Sequence, residues 1–173
     1  LEPRAAKGAL TAEDRDAILA RVRIVDGPEA MGAAELAVEA VVERLDVKQA
    51  LMATLESVMA PEAVLATNTS AIPVRRIAEG MAHPGRLVGL HFFNPAPVMK
   101  LVELIAHPGT DPAALTLARA ATEAAGKVVV ACPDRPGFIV NRCARPFYGE
   151  ALALLEEGRS AAGIDAAMVA TGY

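Results

Sequence analysis

The sequence contains few aromatic residues and no long uninterrupted run of apolar residues. Aromatic residues make up 3% of the 173 residues and tryptophan is absent, so we do not expect base stacking of the kind that binds single-stranded nucleic acid. No apolar run reaches the roughly 18–20 residues that cross a bilayer. The first residues also lack the basic and apolar regions of a secretory signal. These absences predict a cytoplasmic protein that binds neither nucleic acid nor a membrane.

Cysteine is scarce, and neither sign of charge dominates. The formal net charge of −4 provides no general attraction to phosphate backbones or anionic lipids. Cys132 and Cys143 do not have the spacing of a metal-binding or redox motif, and a reduced cytosolic environment is the default for such a chain. We therefore predict no metal site, and two reduced thiols that pack within their helix and strand.

Apolar runs of strand length alternate with segments of helical periodicity along most of the chain. This alternation predicts an α/β domain with a mainly parallel sheet. Asp46 is the expected N-cap of the second helix. The predicted strands cover residues 23–25, 36–42, 63–67, 86–93, 101–106 and 127–132, and the predicted helices cover residues 11–22, 46–60, 74–79 and 112–125.

The pattern changes at the turn-forming residues 134–137. Residues 138–157 predict one long helix with a kink at Pro146, and another helix is expected to start near Ile164. We therefore place a domain boundary at residue 134, with an α/β domain over residues 1–133 and a helical segment over residues 134–173.

Polar residues at three points in the sequence lie where open α/β sheets bind ligands. The first point is the segment Asn68, Thr69 and Ser70, which follows a buried strand. The other two are His91 and Glu103, which each lie inside an apolar strand. A buried carboxylate is costly unless it is paired, and a histidine held by a glutamate suits a general base. The alternative is that Glu103 faces water at a sheet edge and His91 is an ordinary core histidine. The residues alone do not decide between the two.

Longer segments are more specific than these single residues. They read LAVEAVVERLDVKQAL from residue 36, NTSAIPVRRIA from residue 68, RLVGLHFFNPAPVMKLVELI from residue 86 and PDRPGFIVNRCARPFYGEALALLEEG from residue 133. In this order they resemble the L-3-hydroxyacyl-CoA dehydrogenases, over about residues 7–173. The resemblance implies a partial Rossmann-type NAD-binding domain followed by the start of an all-helical domain, an acyl-CoA substrate, and a homodimer.

The resemblance also implies roles for four residues in catalysis. His91 would be the general acid/base, and Glu103 would orient it and stabilise its imidazolium. Ser70 would hydrogen-bond the C3 oxygen of the substrate, and Asn141 would approach the substrate from the helical segment, across an interdomain cleft.

The implied contacts to NAD come from Glu43, Lys48, Asn68, Ser70 and Asn94. For Lys48 the alternative is a solvated helix lysine. For Asn94 it is a turn-forming asparagine before proline, which is compatible with a binding role.

The sequence departs from the family pattern at both ends. It contains no GxGxxG loop for the pyrophosphate of NAD, and it lacks most of the family's C-terminal helical domain. We therefore expect an internal piece of a longer protein, with a sheet edge and apolar helix faces exposed. Lys7 is interpreted as a surface lysine. Arg142 and Arg145 are interpreted as surface or domain-packing residues, and Arg75 or Arg76 could meet a distal carboxylate of the substrate.

Two alternatives for the whole protein are a non-enzymatic, crystallin-like member of the family and a multifunctional chain that includes an enoyl-CoA hydratase.

Overall fold

Five strands form the sheet that organises the protein. The computed structural model describes residue 8 and residues 10–173, so Lys7 lies outside the described residues. The strands are β1 (Leu36–Glu39), β2 (Val64–Thr67), β3 (Leu87–Phe92), β4 (Leu101–Ala106) and β5 (Val128–Pro133), and they lie side by side in chain order.

The sheet is mainly parallel, as predicted, with one antiparallel pair. Strands β1, β2 and β3 run parallel, and so do β4 and β5, whereas β3 and β4 are antiparallel. The short proline-containing turn between β3 and β4 can join only antiparallel neighbours, because a parallel connection needs a longer crossover. In this pair, His91 lies directly opposite Glu103.

Helices cover both faces of the sheet. They are α1 (Ala12–Leu19), α2 (Leu45–Val58), α3 (Val74–Ala78), α4 (Pro112–Ala124), α5 (Val140–Glu156) and α6 (Ala161–Ala170), with short 3-10 segments at Pro28–Met31 and Pro84–Arg86. On one face, Met52 of α2 and Ile77 of α3 pack in a core with Leu65 of β2. On the other, Ala118 of α4 packs against Val88 and Val102. The chain therefore has the two-sided α/β architecture predicted from its sequence.

Several predicted boundaries are wrong. Residues 23–25 form no strand, since Ile24 is 94% exposed and the segment pairs with no strand among the described residues. The first core strand ends at Glu39, where the chain turns and the Val41 N–H donates to the Glu39 side chain. The N-cap of α2 is Arg44, not Asp46, and the Arg44 guanidinium binds the Asp46 carboxylate.

The helical segment also differs from its prediction. Helix α5 starts at Val140, because Gly137 and Phe138 have φ values of +76° and +45° and cannot continue into a right-handed helix. It remains helical through Pro146. Helix α6 starts before Ile164, because the Ser160 hydroxyl caps its first turn by accepting from the Gly163 N–H. The division into two domains at residue 134 stays a prediction.

Two surfaces of the described chain leave apolar groups uncovered. No strand among the described residues pairs with the outer edge of β1, where Val38 is exposed. Phe147, Tyr148 and Leu152 are exposed on α5, with Phe147 stacked on Tyr173. No helix among the described residues has both the length and the apolar character of a bilayer span.

Candidate active site

His91 and Glu103 form a buried hydrogen-bonded pair. Because they are opposite each other on antiparallel strands, their side chains leave the same face of the sheet. His91 Nδ1 lies 2.7 Å from Oε2 of Glu103, which confirms the predicted contact. Glu103 is 1% exposed and β4 has a neighbour on each side. The alternative that Glu103 faces water at an edge is therefore wrong.

The second oxygen of Glu103 binds the start of α5. Its Oε1 accepts hydrogen bonds from the backbone N–H groups of Ile139 and Val140, both at 2.9 Å. No side chain within the helix caps this terminus, so Glu103 supplies the cap from the neighbouring sheet. Unpaired N–H groups at a helix N-terminus favour a negative charge. The same carboxylate thus orients the imidazole and anchors the helical segment.

Phe138 is a residue of this site that the sequence interpretation did not identify. A non-glycine residue in the left-handed region costs roughly 1–2 kcal/mol, and Phe138 is buried in that conformation. Its ring centroid lies 5.6 Å from that of His91, and the Phe93 ring lies 4.6 Å from His91. The turn therefore brings an apolar wall to the imidazole and aims two N–H groups at Glu103. The feature of the sequence that could have identified Phe138 is its position as a bulky residue directly after Pro136-Gly137.

The loop after β2 brings Ser70 to the other nitrogen of His91. Ser70 Oγ lies 3.1 Å from His91 Nε2, and the Asn141 Nδ2 amide donates to the Ser70 carbonyl at 3.1 Å. Since a carboxylate only accepts, the hydrogen on Nδ1 points to Glu103, and Nε2 of the neutral ring is left as the acceptor. The proton-accepting nitrogen therefore faces Ser70.

An open cavity lies in front of this nitrogen. Its volume is about 510 Å³, which falls within the size range of small-molecule sites. Of the four residues predicted to act in catalysis, three line the cavity, and Glu103 lies behind His91. The lining residues are Asn68, Ser70, His91, Phe92, Phe93, Asn94, Ala96 and Asn141.

Asn68 holds the floor of the cavity in place. Its Oδ1 accepts from the Phe92 N–H at 2.7 Å, which ties the loop after β2 to the end of β3. Asn94 is exposed at the rim, in the turn after β3. Both residues are therefore accessible to a bound ligand.

Glu43 and Lys48 lie beside the Ser70 loop. One oxygen of Glu43 accepts from the Thr69 hydroxyl and from the N–H groups of Ser70 (3.0 Å) and Ala71 (3.2 Å). Lys48 is 1% exposed and forms ion pairs with Glu39 and Glu43. The alternative that Lys48 is a solvated helix lysine is therefore wrong.

The pKa of Glu43 lies below the ordinary value of a glutamate. Partial burial raises this pKa, but hydrogen bonds from Thr69 and the Ser70 N–H, together with the charge of Lys48, outweigh the burial. Glu43 is therefore a carboxylate at neutral pH.

Cys132 does not have the character of a catalytic nucleophile. Burial, with the nearby charges of Glu103 and Asp134, raises the pKa of the Cys132 thiol to about 12, so this thiol is protonated at neutral pH. Cys143 is exposed on α5, so the prediction that it packs within its helix is wrong, and both cysteines are free of disulfides.

The chain is similar to known proteins over almost its whole length. Residues 1–135 match the model of the 3-hydroxyacyl-CoA dehydrogenase NAD binding domain, and residues 137–173 match that of the 3-hydroxyacyl-CoA dehydrogenase C-terminal domain. The chain is 47% identical over 157 residues to a 3-hydroxyadipyl-CoA dehydrogenase of Escherichia coli K12, a match that covers 91% of this chain and 33% of that protein.

A second curated relative and a solved structure agree with this match. A 3-hydroxybutyryl-CoA dehydrogenase of Mycobacterium tuberculosis is 39% identical, over 98% of this chain and 60% of its own length. The crystal structure of FadB2 from M. tuberculosis superposes with a TM-score of 0.92 at 38% identity, over 98% of this chain and 60% of that one. The chain thus spans between a third and three fifths of these relatives, and it belongs to the 3-hydroxyacyl-CoA dehydrogenase family.

Proposed function

We propose that the protein containing this chain oxidises an L-3-hydroxyacyl-CoA to the 3-oxoacyl-CoA with NAD. The observation that carries the proposal is the row of groups from Ser70 through His91 to Glu103, with separations of 3.1 and 2.7 Å, facing one cavity. A base that is held by a carboxylate and faces a cavity is what the removal of a hydroxyl proton requires. A non-enzymatic role does not explain this arrangement.

In the proposed reaction, the C3 hydroxyl of the substrate lies in the cavity, within hydrogen-bonding distance of both Ser70 Oγ and His91 Nε2. His91 Nε2 accepts the hydroxyl proton as the hydride leaves C3, and the C–O bond becomes a carbonyl. Glu103 then stabilises the imidazolium through Nδ1. NAD, when bound, supplies the acceptor for the hydride. Asn141 keeps the Ser70 loop in position through its hydrogen bond to the Ser70 carbonyl.

The residues predicted to contact NAD fit that cofactor. They lie near the carboxyl ends of β1, β2 and β3, which is the edge where open α/β sheets bind dinucleotides. The Glu43 side chain is 43% exposed; its Oε1 is held by the Ser70 loop and its Oε2 lies beside Lys48. This oxygen can accept from a ribose hydroxyl. Asn68, Ser70 and Asn94 line the cavity in which the nicotinamide end would meet the substrate.

The direct test is to assay the full-length protein. We expect NADH to form when NAD and a short L-3-hydroxyacyl-CoA are supplied together, and not when either is omitted. A folded full-length protein that produces no NADH from any short-chain 3-hydroxyacyl-CoA would contradict the proposal.

The substrate that we propose first is a dicarboxylyl thioester such as 3-hydroxyadipyl-CoA. Arg75 and Arg76 were the expected partners of its distal carboxylate, but Arg75 is paired with Asp134 and Arg76 with Glu79. Arg142 and Arg145 are better candidates. They line a cavity of about 340 Å³ that shares Asn141 with the cavity in front of His91.

Distances along the chain and the substrate agree with this choice. Arg145 follows Asn141 by one helical turn, which separates their β-carbons by about 5–6 Å. The distal carboxylate of a six-carbon acyl chain lies three bonds from C3, roughly 4 Å away. Among the described residues, no carboxylate lies within ion-pair distance of Arg142 or Arg145, so a ligand carboxylate would be their first acidic partner.

The variant Arg145→Met tests this preference. We expect kcat/KM for 3-hydroxyadipyl-CoA to fall by about 10-fold or more, the usual effect of losing a charged hydrogen bond, while kcat/KM for 3-hydroxybutyryl-CoA stays unchanged. Arg76→Met is the matched control, since Arg76 pairs with Glu79 at the surface. An unchanged ratio of the two kcat/KM values in Arg145→Met would contradict the proposed carboxylate subsite.

Association into a homodimer is also proposed. Exposed apolar side chains on α5, among them Phe147 and Tyr148, support an interface on the helical segment. A cytoplasmic location stays a prediction.

A further inference from the structure

A second group of charged residues, which includes Glu39 and Lys48, lies below the Ser70 loop. The proposed reaction gives no role to Glu39. Glu39 is the last residue of β1 and lies opposite Thr67, the last residue of β2. Lys48 reaches the same place from the first turn of α2. All three residues are buried, and a buried charge persists only where its partners compensate for the lost hydration.

Every polar atom of Glu39 has a partner. The Lys48 Nζ ammonium donates to Glu39 Oε1 at 2.9 Å and to Oε2 at 3.0 Å. The Thr67 hydroxyl donates to Oε1, and the Val41 N–H donates to Oε2 at 3.1 Å. Three donor groups making four hydrogen bonds to two oxygens are typical of a carboxylate, which only accepts.

Lys48 connects this carboxylate to the site. Its Nζ also lies 3.3 Å from Oε2 of Glu43, whose other oxygen accepts from the N–H groups of Ser70 and Ala71. Ser70 in turn contacts His91. Lys48 therefore lies between two carboxylates and contacts both of them.

We infer that Glu39 is a positioning residue for the Ser70 loop and acts through Lys48 and Glu43. Glu39 holds the ammonium of Lys48 toward β1. Without the Glu39 charge, Lys48 moves toward Glu43, and Glu43 turns from the loop N–H groups toward Lys48. The Ser70 hydroxyl and the Glu43 oxygen that faces the cofactor then lose their fixed positions. The catalytic part of this inference rests on the proposed function, and the structural part does not.

Hydrogen exchange tests the structural part without any assay of activity. In the full-length protein, Glu39→Gln keeps the shape of the side chain and removes its charge. We expect the amides of Ser70 and Ala71 to exchange faster than in the wild type, while the amides of α4 on the opposite face of the sheet keep their rates. Unchanged exchange at Ser70 and Ala71 in a folded variant would overturn the inference.

Kinetics test the catalytic part. We expect Glu39→Gln to lower kcat/KM for NAD by roughly 10-fold, about the effect of losing one or two hydrogen bonds, and to leave KM for the acyl-CoA unchanged. The effect should disappear in a Glu43→Gln background, because Glu39 acts through Glu43. Loss of folded protein alone would lower kcat in both backgrounds and leave both KM values unchanged, which would contradict the inference. Glu123→Gln, on the surface of α4, is the matched control.

A second variant covers the case in which Glu39→Gln does not fold. Replacing both partners, as in Glu39→Gln with Lys48→Met, removes the unpaired buried charge, a change that proteins often tolerate. If this double variant folds and retains wild-type kcat/KM for NAD, the inference is overturned; faster exchange at Ser70 and Ala71 supports it.

A folded wild-type protein without activity would overturn the proposed function and the catalytic part together, while the exchange result would still decide the structural part.

Discussion

The imidazole of His91 is enclosed by four different neighbours. Glu103 faces its Nδ1, Ser70 faces its Nε2, and the rings of Phe93 and Phe138 lie against its sides. His91 is 5% exposed, and it lines the same cavity as Ser70. The environment therefore fixes both the orientation of the ring and the direction from which a proton reaches it.

Replacing His91 by glutamine is expected to abolish proton transfer while the fold persists. A glutamine amide can still donate to Glu103, so the buried carboxylate keeps a partner. We expect kcat of the full-length protein to fall by roughly 10²–10⁴-fold, the usual contribution of a general base, with a small change in melting temperature. His83→Gln, in an exposed loop, should retain full activity. A His91→Gln variant with kcat within a few-fold of the wild type would contradict the assigned role.

The lowered pKa of Glu43 predicts a pH-dependent contribution to stability. Because the pKa is lower in the folded state than in the unfolded state, Glu43 stabilises the fold at pH values above its unfolded pKa, and this contribution is lost as the pH falls through the folded pKa. We expect Glu43→Gln to lower the free energy of unfolding at neutral pH. The difference from the wild type should shrink as the pH falls below the ordinary pKa of a glutamate, and it should vanish once the pH is below the lower, folded-state pKa of Glu43. Urea unfolding of both proteins across this pH range checks the prediction, and a difference that does not depend on pH would refute it.

At the scale of elements, β3 is held by a close contact at Gly89. A β-carbon at this position would lie 2.8 Å from the Ile105 β-carbon on β4 and 2.9 Å from a Val74 methyl on α3. The absence of a side chain thus allows α3 and β4 to approach β3 two residues before His91. This spacing helps to place the loop that carries Ser70 within reach of the imidazole.

Gly89→Ala is therefore expected to destabilise the protein through overpacking. Inserting one methyl group into a filled core costs roughly 1–3 kcal/mol, and the displacement of β3 should also lower kcat. Gly149→Ala is the matched control, since a β-carbon there meets nothing within 4 Å, and glycine to alanine inside a helix stabilises by roughly 0.5–1 kcal/mol. Urea unfolding distinguishes the two. Equal stability of Gly89→Ala and the wild type would show that β3 can move aside at no cost.

The sequence predicted those elements whose signal is local. Alternating apolar runs located all five strands, and the short turn before Leu101 made the pairing of His91 with Glu103 predictable. The start of α5 was not predictable in this way, because the left-handed conformation of Phe138 depends on its burial against His91. Residues 23–25 have the composition of a strand, but no partner lies beside them among the described residues.

Lys48 illustrates why the burial of a charged residue is difficult to predict from the sequence. Its position on α2 resembles that of a surface lysine, and its two carboxylate partners become neighbours only when β1 and the loop after it fold over the helix. Likewise, Glu39 carries no motif of its own, and its role is visible only from the three donor groups that surround its carboxylate.

At the scale of the whole molecule, the described residues join the sheet to the helical segment through polar contacts at three places. Asp134 accepts from the N–H groups of Val74 and Arg75 at the start of α3, and Asn141 donates to the Ser70 carbonyl. The third contact is the cap that Glu103 provides for α5. All three contacts lie close to the Ser70 loop. The residues that join the two parts of the chain therefore also hold the site in place.

One oxygen of Glu103 binds the imidazole of His91, and the other binds the start of α5. The position of α5 therefore affects the surroundings of the imidazole. Displacing α5 from the sheet would remove two N–H donors from Glu103 and leave the imidazole as its remaining hydrogen-bond partner among the described residues. One carboxylate thus couples the seating of the helix to the orientation of the base.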